Sequence, residues 1–277
     1  MTTWNVAEPT RLELKGEVKD LQVRLVGGRV NVVGADGPAR VEVSAIGERP
    51  VTVTLDDDGV LRVTHGVIPR WPGFLWWLFH GRFKVDVSVM VPPRTPAKLT
   101  VVSGSVIVSS LRAGTQVDAT SARVTLLGLD GRVTAKVISG SIEALTLDGE
   151  VDLETVSGEI VVADTTARKV HARAISGSIT CDLDNPPVDT DVRLDTVSGE
   201  ITARVREDSD LRVNLNATSG RVICAFPGLD RVGRSTVIGT LGAGTGRIAA
   251  NATSGTITLL HRPVDPDDLD DLDEETA

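Results

Sequence analysis

The 277-residue sequence predicts an all-β fold, a parallel β-helix or β-solenoid of about eight short rungs with an N-terminal β cap. Three observations predict this class. A Ser-Gly dipeptide recurs at nearly constant spacing. On both sides of it apolar and polar residues alternate at period two, which is typical of half-buried strands. The chain also has only eight aromatic residues and draws its apolar content mainly from Val, Ile, Leu and Ala.

The repeated dipeptide defines the rungs. Its copies begin at Ser103, Ser139, Ser157, Ser176, Ser198, Ser219 and Ser254, with Ser121-Ala122 as a degenerate copy. The first copies are 18 or 19 residues apart, and the interval before the last copy holds an insertion at roughly 226–246. Three residues after each Ser stands Val or Ile, and five after it another apolar residue. Each copy therefore supplies two short strands, and so small a unit buries its apolar face only by stacking on its neighbours.

An antiparallel sandwich also uses short strands at regular spacing. We favour the solenoid because hairpin strands have no reason to keep one residue type at one offset through eight copies, whereas stacked rungs do. Three residues before the Ser, five successive members alternate in sign: Asp118, Lys136, Glu154, Arg173 and Asp195. Opposite charges on neighbouring strands stabilise a sheet by about 0.2–1 kcal/mol per pair. We interpret this row as a surface ladder that helps to set the register.

The two cysteines share the offset five residues after the Ser. Taken in chain order, the rungs of Cys181 and Cys224 are two apart, which places their Cα atoms roughly 9–10 Å from each other. A disulfide requires a Cα separation below about 7 Å. We therefore predict two buried, reduced thiols that act as small apolar side chains.

Residues 1–96 lack the Ser-Gly register and are predicted to form a strand-rich cap on the solenoid, which spans 97–262. Strand-like runs separated by turn residues lie at 11–14, 21–25, 29–33, 40–44, 51–55, 60–63 and 84–91. Residues 263–277 hold eight acids and no base, which leaves 30 acids against 29 bases in the rest of the chain. We interpret this tail as a solvated, disordered end, with binding of a cation or a basic partner as the alternative. The near-neutral body argues against nucleic-acid binding.

Six of the eight aromatic residues lie within 71–83, in a segment, 67–83, whose Pro, Gly and Arg residues predict a loop. This loop either plugs the end of the solenoid or forms an interaction surface. The partner would be a protein, or a membrane interface with Trp and Phe at the acyl boundary and basic side chains near anionic headgroups. The candidate interaction residues are Arg70, Trp71, Phe74, Trp76, Trp77, Phe79, Arg82 and Phe83.

The sequence contains no motif of an active site. The four His lie at no metal-ligand spacing, no Ser lies in a Gly-x-Ser-x-Gly elbow, and 242–246 lacks the spacing of a phosphate-binding loop, so it is predicted to be a turn. We therefore predict no catalytic residue, no metal, no cofactor and no small-molecule substrate. The N-terminus has no basic region followed by an apolar run, and no stretch reaches the roughly 18–20 apolar residues of a membrane span. We expect a cytoplasmic protein, peripheral at the inner membrane if it meets a membrane at all.

The serial units Val-Ser-Gly-Glu-Ile and Ile-Ser-Gly-Ser-Ile, with the ending at 239–246 and the closing unit at 252–258, resemble the bacterial putative-adhesin family of unknown function with β-strand repeats, also called toast-rack repeats. The resemblance covers about residues 20–260. It implies a β-helix-like stack, no known catalytic activity, and a role in adhesion or in sensing envelope stress near membrane proteins. We therefore expect a non-enzymatic interaction scaffold. Two alternatives remain, a polysaccharide-active β-helix enzyme, which would need clustered acids that no base neutralises, and an exported surface adhesin, which would need an export route.

Overall fold

A computed structural model describes residues 1–47, 49–65, 84–183 and 189–263. These residues form 21 β-strands, all hydrogen-bonded into one continuous sheet, and they contain no helix. The predicted all-β class is therefore confirmed. The aromatic segment 67–83 lies outside the described residues, and so does the acidic tail beyond residue 263.

Seven strands precede the first Ser-Gly unit. They are β1 (Thr2–Val6), β2 (Thr10–Glu13), β3 (Asp20–Gly34), β4 (Arg40–Ala45), β5 (Val51–Leu55), β6 (Val60–His65) and β7 (Val85–Val91). Ten strands follow in the regular repeats: β8 (Ala97–Ser109), β9 (Thr115–Leu127), β10 (Asp130–Ser139), β11 (Ile142–Leu145), β12 (Asp148–Ser157), β13 (Ile160–Ala163), β14 (Lys169–Ser176), β15 (Ile179–Asp182), β16 (Asp191–Ser198) and β17 (Ile201–Arg206). The last four are β18 (Leu211–Cys224), β19 (Asp230–Val232), β20 (Thr236–Leu241) and β21 (Gly246–Arg262).

Equivalent residues of successive repeats lie directly beside one another. The strands before the corner pair in parallel, so that Ser139 lies beside Ser157 and Ser157 beside Ser176. The strands after the corner do the same, and Ile142 lies beside Ile160. Each repeat is thus one layer of a stack, with a bend at the Ser-Gly corner. Parallel contact between like offsets explains why the same residue types recur there.

The core is aliphatic along the whole stack. Inward offsets are completely buried, as at Val133, Ala135, Ile142 and Ala144, all with 0% of their surface exposed. Because these side chains stack on their equivalents at about 4.8 Å, branched aliphatic residues fill the interior without rings. The two described aromatic residues, Trp4 and Phe226, are only partly buried against this core.

A column of glycines allows the corners to stack. The backbone of Gly158 has φ +148°, a region that L-residues rarely adopt, and a Cβ there would overlap the carbonyl oxygen of Gly140 in the preceding layer. The same overlap joins Gly199 to Gly177. Ser-Gly therefore recurs because the corner needs a residue without a side chain on that side.

The spatial order of the last layers differs from the chain order that the sequence analysis assumed. Strand β21 lies between β16–β17 and β18, so that Ser254 pairs with both Ser198 and Ser219. The insertion before it forms the hairpin β19–β20, and β20 pairs antiparallel with β18 on the side away from β21. The hairpin thus covers the outer edge of β18 at the C-terminal end of the stack.

This order corrects the prediction for the cysteines. Cys181 pairs with Ala203, Ala203 with Leu259, and Leu259 with Cys224, which makes them three layers apart instead of two, roughly 14 Å. Both thiols are free, as predicted, but only Cys181 is buried. Cys224 is half-buried because its layer is the last one, where no further repeat packs over it.

The N-terminal region also contains a layer of the stack. Strand β3 was expected as two cap strands separated by a turn, yet it is continuous and in register with β8, with Gly27 beside Ser103 and Gly28 beside Gly104. Gly-Gly replaces Ser-Gly there, which hides this layer from a pattern built on Ser. Strands β6 and β7 pair in parallel with the two halves of β3, and β1, β2, β4 and β5 add antiparallel pairs beyond them. The pairing in the N-terminal region is therefore mixed, with both parallel and antiparallel neighbours.

Candidate functional site

The predicted interaction residues lie in the undescribed segment, but the structure shows where this segment joins the stack. Thr64, next to the end of β6, pairs with Arg24, three residues before the Gly-Gly corner of β3. Val85, at the start of β7, pairs with Gly28 of the same corner. The described ends of β6 and β7 therefore pair with β3 just before its Gly-Gly corner and at that corner.

The charged row is the set of residues three positions before each corner. The predicted alternation of charge is confirmed by the pairing, because Lys136 lies between Asp118 and Glu154 and Arg173 lies between Glu154 and Asp195. The Lys136 Nζ atom is 3.0 Å from Glu154 Oε2, and Arg173 Nη1 is 3.7 Å from Glu154 Oε1. The carboxylate of Glu154 thus contacts two cations, one in each of the layers that flank its own.

Electrostatic effects within this row agree with the geometry. The hydrogen bond to Glu154 and its charge raise the pKa of Lys136. Burial alone would raise the pKa of Asp195, but hydrogen bonds from Asn251 and Arg193 outweigh it, so that the pKa is lowered. The Asn251 Nδ2 atom donates to Asp195 Oδ1 over 2.8 Å. Asp195 is therefore held ionised by its neighbours, unlike a catalytic acid whose pKa is raised.

A second row of alternating charge lies seven residues before each corner, and the sequence analysis missed it. It runs through Arg132, Glu150, Lys169, Asp191 and Arg247, each beside the next. The Arg132 Nη2 atom donates to Glu150 Oε2 over 2.6 Å. The signal was present in the sequence, since the charge of the residue seven positions before the Ser alternates in sign through the units of Ser139, Ser157, Ser176, Ser198 and Ser254.

His171 stands five residues before its corner, between the two charged rows, and it lies near two acids. Its Nδ1 atom is 3.6 Å from Asp152 Oδ1, and its Nε2 atom is 3.5 Å from Asp195 Oδ2. These distances exceed ordinary hydrogen bonds. Among the described residues, no group of three or more His, Cys, Asp or Glu side chains could hold a metal ion.

The apolar row is the set of residues immediately before each corner Ser. Ile138, Val156, Ile175 and Val197 occupy it in four successive layers, and 43–55% of the surface of each is exposed. The alternation of the strand points this offset outward, where polar residues are normal. The sequence analysis did not single out this row, although each Ser-Gly of these four layers is preceded by Val or Ile.

A groove runs along the outer surface of the stack between the charged row and the apolar row. Its volume is about 500 Å³, and it extends over the five layers from β8 to β14. Its floor is formed by the buried residues two positions before the corner. The lining residues are Thr100, Val101, Val102, Asp118, Ala119, Thr120, Lys136, Val137, Ile138, Glu154, Thr155, Val156, Arg173 and Ile175. We call this feature the outer groove.

The buried thiol of Cys181 does not offer a nucleophile for catalysis. Complete burial raises the pKa of Cys181 to about 12, so its thiolate is not formed at neutral pH. The predicted turn at 242–246 is confirmed, and the backbone amide of Ala243 donates to Asp210 Oδ1 over 2.6 Å. This turn holds the start of β21 against β18. In the described part of the chain, no helix has the length and apolar character that crossing a bilayer requires.

The fold and its surface define the class, an all-β repeat protein whose layers carry regular rows of charged and apolar side chains. Within that class the chain belongs to the Toastrack DUF4097 family, whose model matches residues 18–260. The resemblance inferred from the Ser-Gly units is thereby confirmed. No curated protein matches the chain.

Solved structures resemble the chain at low sequence identity. A protein from Bacteroides fragilis named as a putative adhesin is 13% identical, with 92% of this chain and 98% of the other covered and a TM-score of 0.48. A protein from Parabacteroides distasonis named as a putative lipid binding protein is 11% identical, with coverages of 92% and 98% and a TM-score of 0.39. A protein from Clostridium sporogenes named as a putative cell adhesion protein is 12% identical, with coverages of 92% and 100% and a TM-score of 0.28.

Proposed function

We propose that the protein is a non-enzymatic binding scaffold, a β-solenoid whose regular outer surface and aromatic segment contact a partner. The observation that carries this proposal is that the exposed apolar row lies beside charged rows in which opposite charges on neighbouring layers neutralise one another. A surface of this kind offers contact area and register, and within the described residues Glu154 and Asp195 of the charged row are each paired with a basic side chain. The membership of a family named for its repeats supports the same reading.

The solenoid itself is part of the proposal. Parallel pairing of like offsets from β3 to β18 supports one continuous coil, in which β3 adds a rung to the eight that carry Ser-Gly or Ser-Ala. The cap and the C-terminal hairpin would then protect the two ends, which in a repeat protein are otherwise open edges.

The partner surface that we propose is the aromatic segment with Trp76 and Trp77. Its Trp, Phe and Arg residues are typical anchors of protein and membrane interfaces. A location at the inner face of the cytoplasmic membrane, linked to envelope stress, follows as a proposal. Fractionation of cells that produce the full chain would test it.

Co-sedimentation with anionic phospholipid vesicles tests membrane binding directly. We expect the wild-type protein to pellet with the vesicles and Trp76→Ala combined with Trp77→Ala to remain in the supernatant. The matched control is Val232→Ala combined with Ile238→Ala, which removes apolar side chains exposed on the C-terminal hairpin. A wild type that never pellets, or a double Trp variant that pellets equally, rules out the membrane partner.

The rival function, polysaccharide cleavage, makes a different prediction. It requires clustered acids without neutralising bases, whereas Glu154 and Asp195 of the charged row each contact a basic side chain. Incubation with a panel of acidic glycans, followed by measurement of new reducing ends, is the direct assay. Turnover above a denatured-protein control would overturn the scaffold proposal. Detection of the native protein outside the cell would instead favour the exported adhesin.

A further inference from the structure

We propose that the outer groove binds the hydrocarbon chain of a long-chain fatty acid and that Arg24 receives its carboxylate. The inference rests on the proposed binding function and names a ligand for a surface other than the aromatic segment. It depends on three features of the described residues: the uniform section of the groove, the chemistry of its walls and the charge at one end.

The shape of the groove favours a chain without side groups. The same offsets line it in five successive layers, so its cross-section repeats every 4.8 Å or so, over a length of roughly 19 Å. An extended peptide laid along it would present side chains on one face every 6.6 Å or so, out of step with the layers. A hydrocarbon chain has no such period and can contact every layer equally.

The walls favour an uncharged chain along the middle of the groove. One wall consists of Val102, Thr120, Ile138, Val156 and Ile175, of which the last three are apolar and 43–55% exposed. The other wall consists of Thr100, Asp118, Lys136, Glu154 and Arg173. The methylene stems of Lys136 and Arg173 are apolar although their ends are charged. Both cations contact Glu154, so each already has an anionic partner in the wall of the groove.

The end of the groove beside β3 carries a different charge pattern. Arg24 is the member of the charged row next to Thr100, and its side chain is exposed. The neighbours of Lys136 on both sides are acids, whereas the neighbours of Arg24 are Thr64 and Thr100. No ion pair links Arg24 to another residue within the described ranges. A guanidinium in this position can bind a carboxylate with two hydrogen bonds.

The groove therefore complements an anionic amphiphile in both parts. Its apolar section matches the chain, and the uncompensated cation at its end matches the head. Transfer of each methylene from water contributes up to about 0.8 kcal/mol when it is fully buried. In an open groove we expect the dissociation constant to fall about twofold to fourfold per added methylene until the chain fills the groove.

The test is a titration of the full chain with hexadecanoic acid below its aggregation concentration, followed by calorimetry. We expect saturable binding with one site per chain, and an affinity at least about tenfold weaker for Ile138→Asn combined with Val156→Asn. The matched control is Ile223→Asn, since Ile223 is also 43% exposed but does not line the groove. Circular dichroism of each variant verifies that the fold is intact.

The role of Arg24 has its own comparison. Arg24→Gln should weaken binding of hexadecanoic acid several-fold and leave binding of the uncharged methyl ester unchanged. Several results would overturn the inference: no saturable binding, equal affinity for the groove variant and the Ile223→Asn control, or light scattering that shows the groove to be occupied by a second copy. If vesicles still pellet the protein in these cases, the scaffold proposal stands and only the groove ligand is refuted.

Discussion

Replacement of Gly158 by alanine tests whether the corner glycines exist to let the layers stack. The new Cβ would overlap the carbonyl oxygen of Gly140, and the backbone has φ +148°. A side chain in such a conformation costs about 1–3 kcal/mol. Moving the layers apart would also weaken the hydrogen bond of 3.0 Å from the Gly140 amide to the Ser157 carbonyl, worth about 1 kcal/mol. We expect a loss of about 2–4 kcal/mol.

Thermal and urea unfolding followed by circular dichroism would measure this loss. For a chain of this size it corresponds to a fall in Tm on the order of 10 °C. The matched control is Gly37→Ala, because Gly37 also has a positive φ, +122°, but a Cβ there meets nothing within 4 Å. Because Gly37→Ala introduces backbone strain without a steric overlap, it should lose less stability than Gly158→Ala. Equal losses for the two variants would refute the argument that close approach of the layers selects glycine.

Two further predictions concern buried groups. Burial raises the pKa of Cys181 to about 12, so this thiol should resist a thiol reagent in the native state, whereas the half-buried Cys224 should react much faster. Peptide mapping after brief labelling measures the order of reaction. Equal rates for the two thiols would contradict the assigned burial. Burial would raise the pKa of Asp182, but hydrogen bonds from Arg204 and Arg262 lower it. Its stabilisation is therefore present above the unfolded-state pKa of about 3.9 and is lost as pH falls through the lower folded-state value. Asp182→Asn should cost about 1–2 kcal/mol at pH 7 and flatten the acid limb of the stability curve, and an unchanged limb would contradict the pairing.

The charged rows suggest why the stack keeps its register without large core side chains. Aliphatic layers of similar size could slip by one repeat at little cost. A slip by one layer would place Lys136 beside the like charge of Arg173 rather than beside Glu154. Like charges on neighbouring strands destabilise a sheet, so the alternation penalises this error.

The sequence by itself determined the all-β class, the parallel contact of like offsets and the charged row. It could do so because stacking converts an equal distance from Ser-Gly into a spatial contact, so that Ser139 and Ser157 must meet. The corner residues followed from the same rule. The sequence pattern contained both the charged row and the apolar row that line the outer groove. Period-two alternation shows only which side chains point outward, and it does not show that a groove lies between the two rows.

The tertiary structure decided the order of the layers and the shape of the surface. Strands β18 and β21 offer the same offsets to β16, so local pattern cannot choose between them. The choice depends on the hairpin β19–β20, which covers the free edge of β18 and leaves the inner position to β21. The groove likewise became visible only in the structure, because a concavity is a property of backbone path rather than of residue type. The layer that contains Gly27-Gly28 was likewise visible only in the structure. Stacking requires a glycine without a side chain at the corner, but it does not require the serine that precedes this glycine in the other layers.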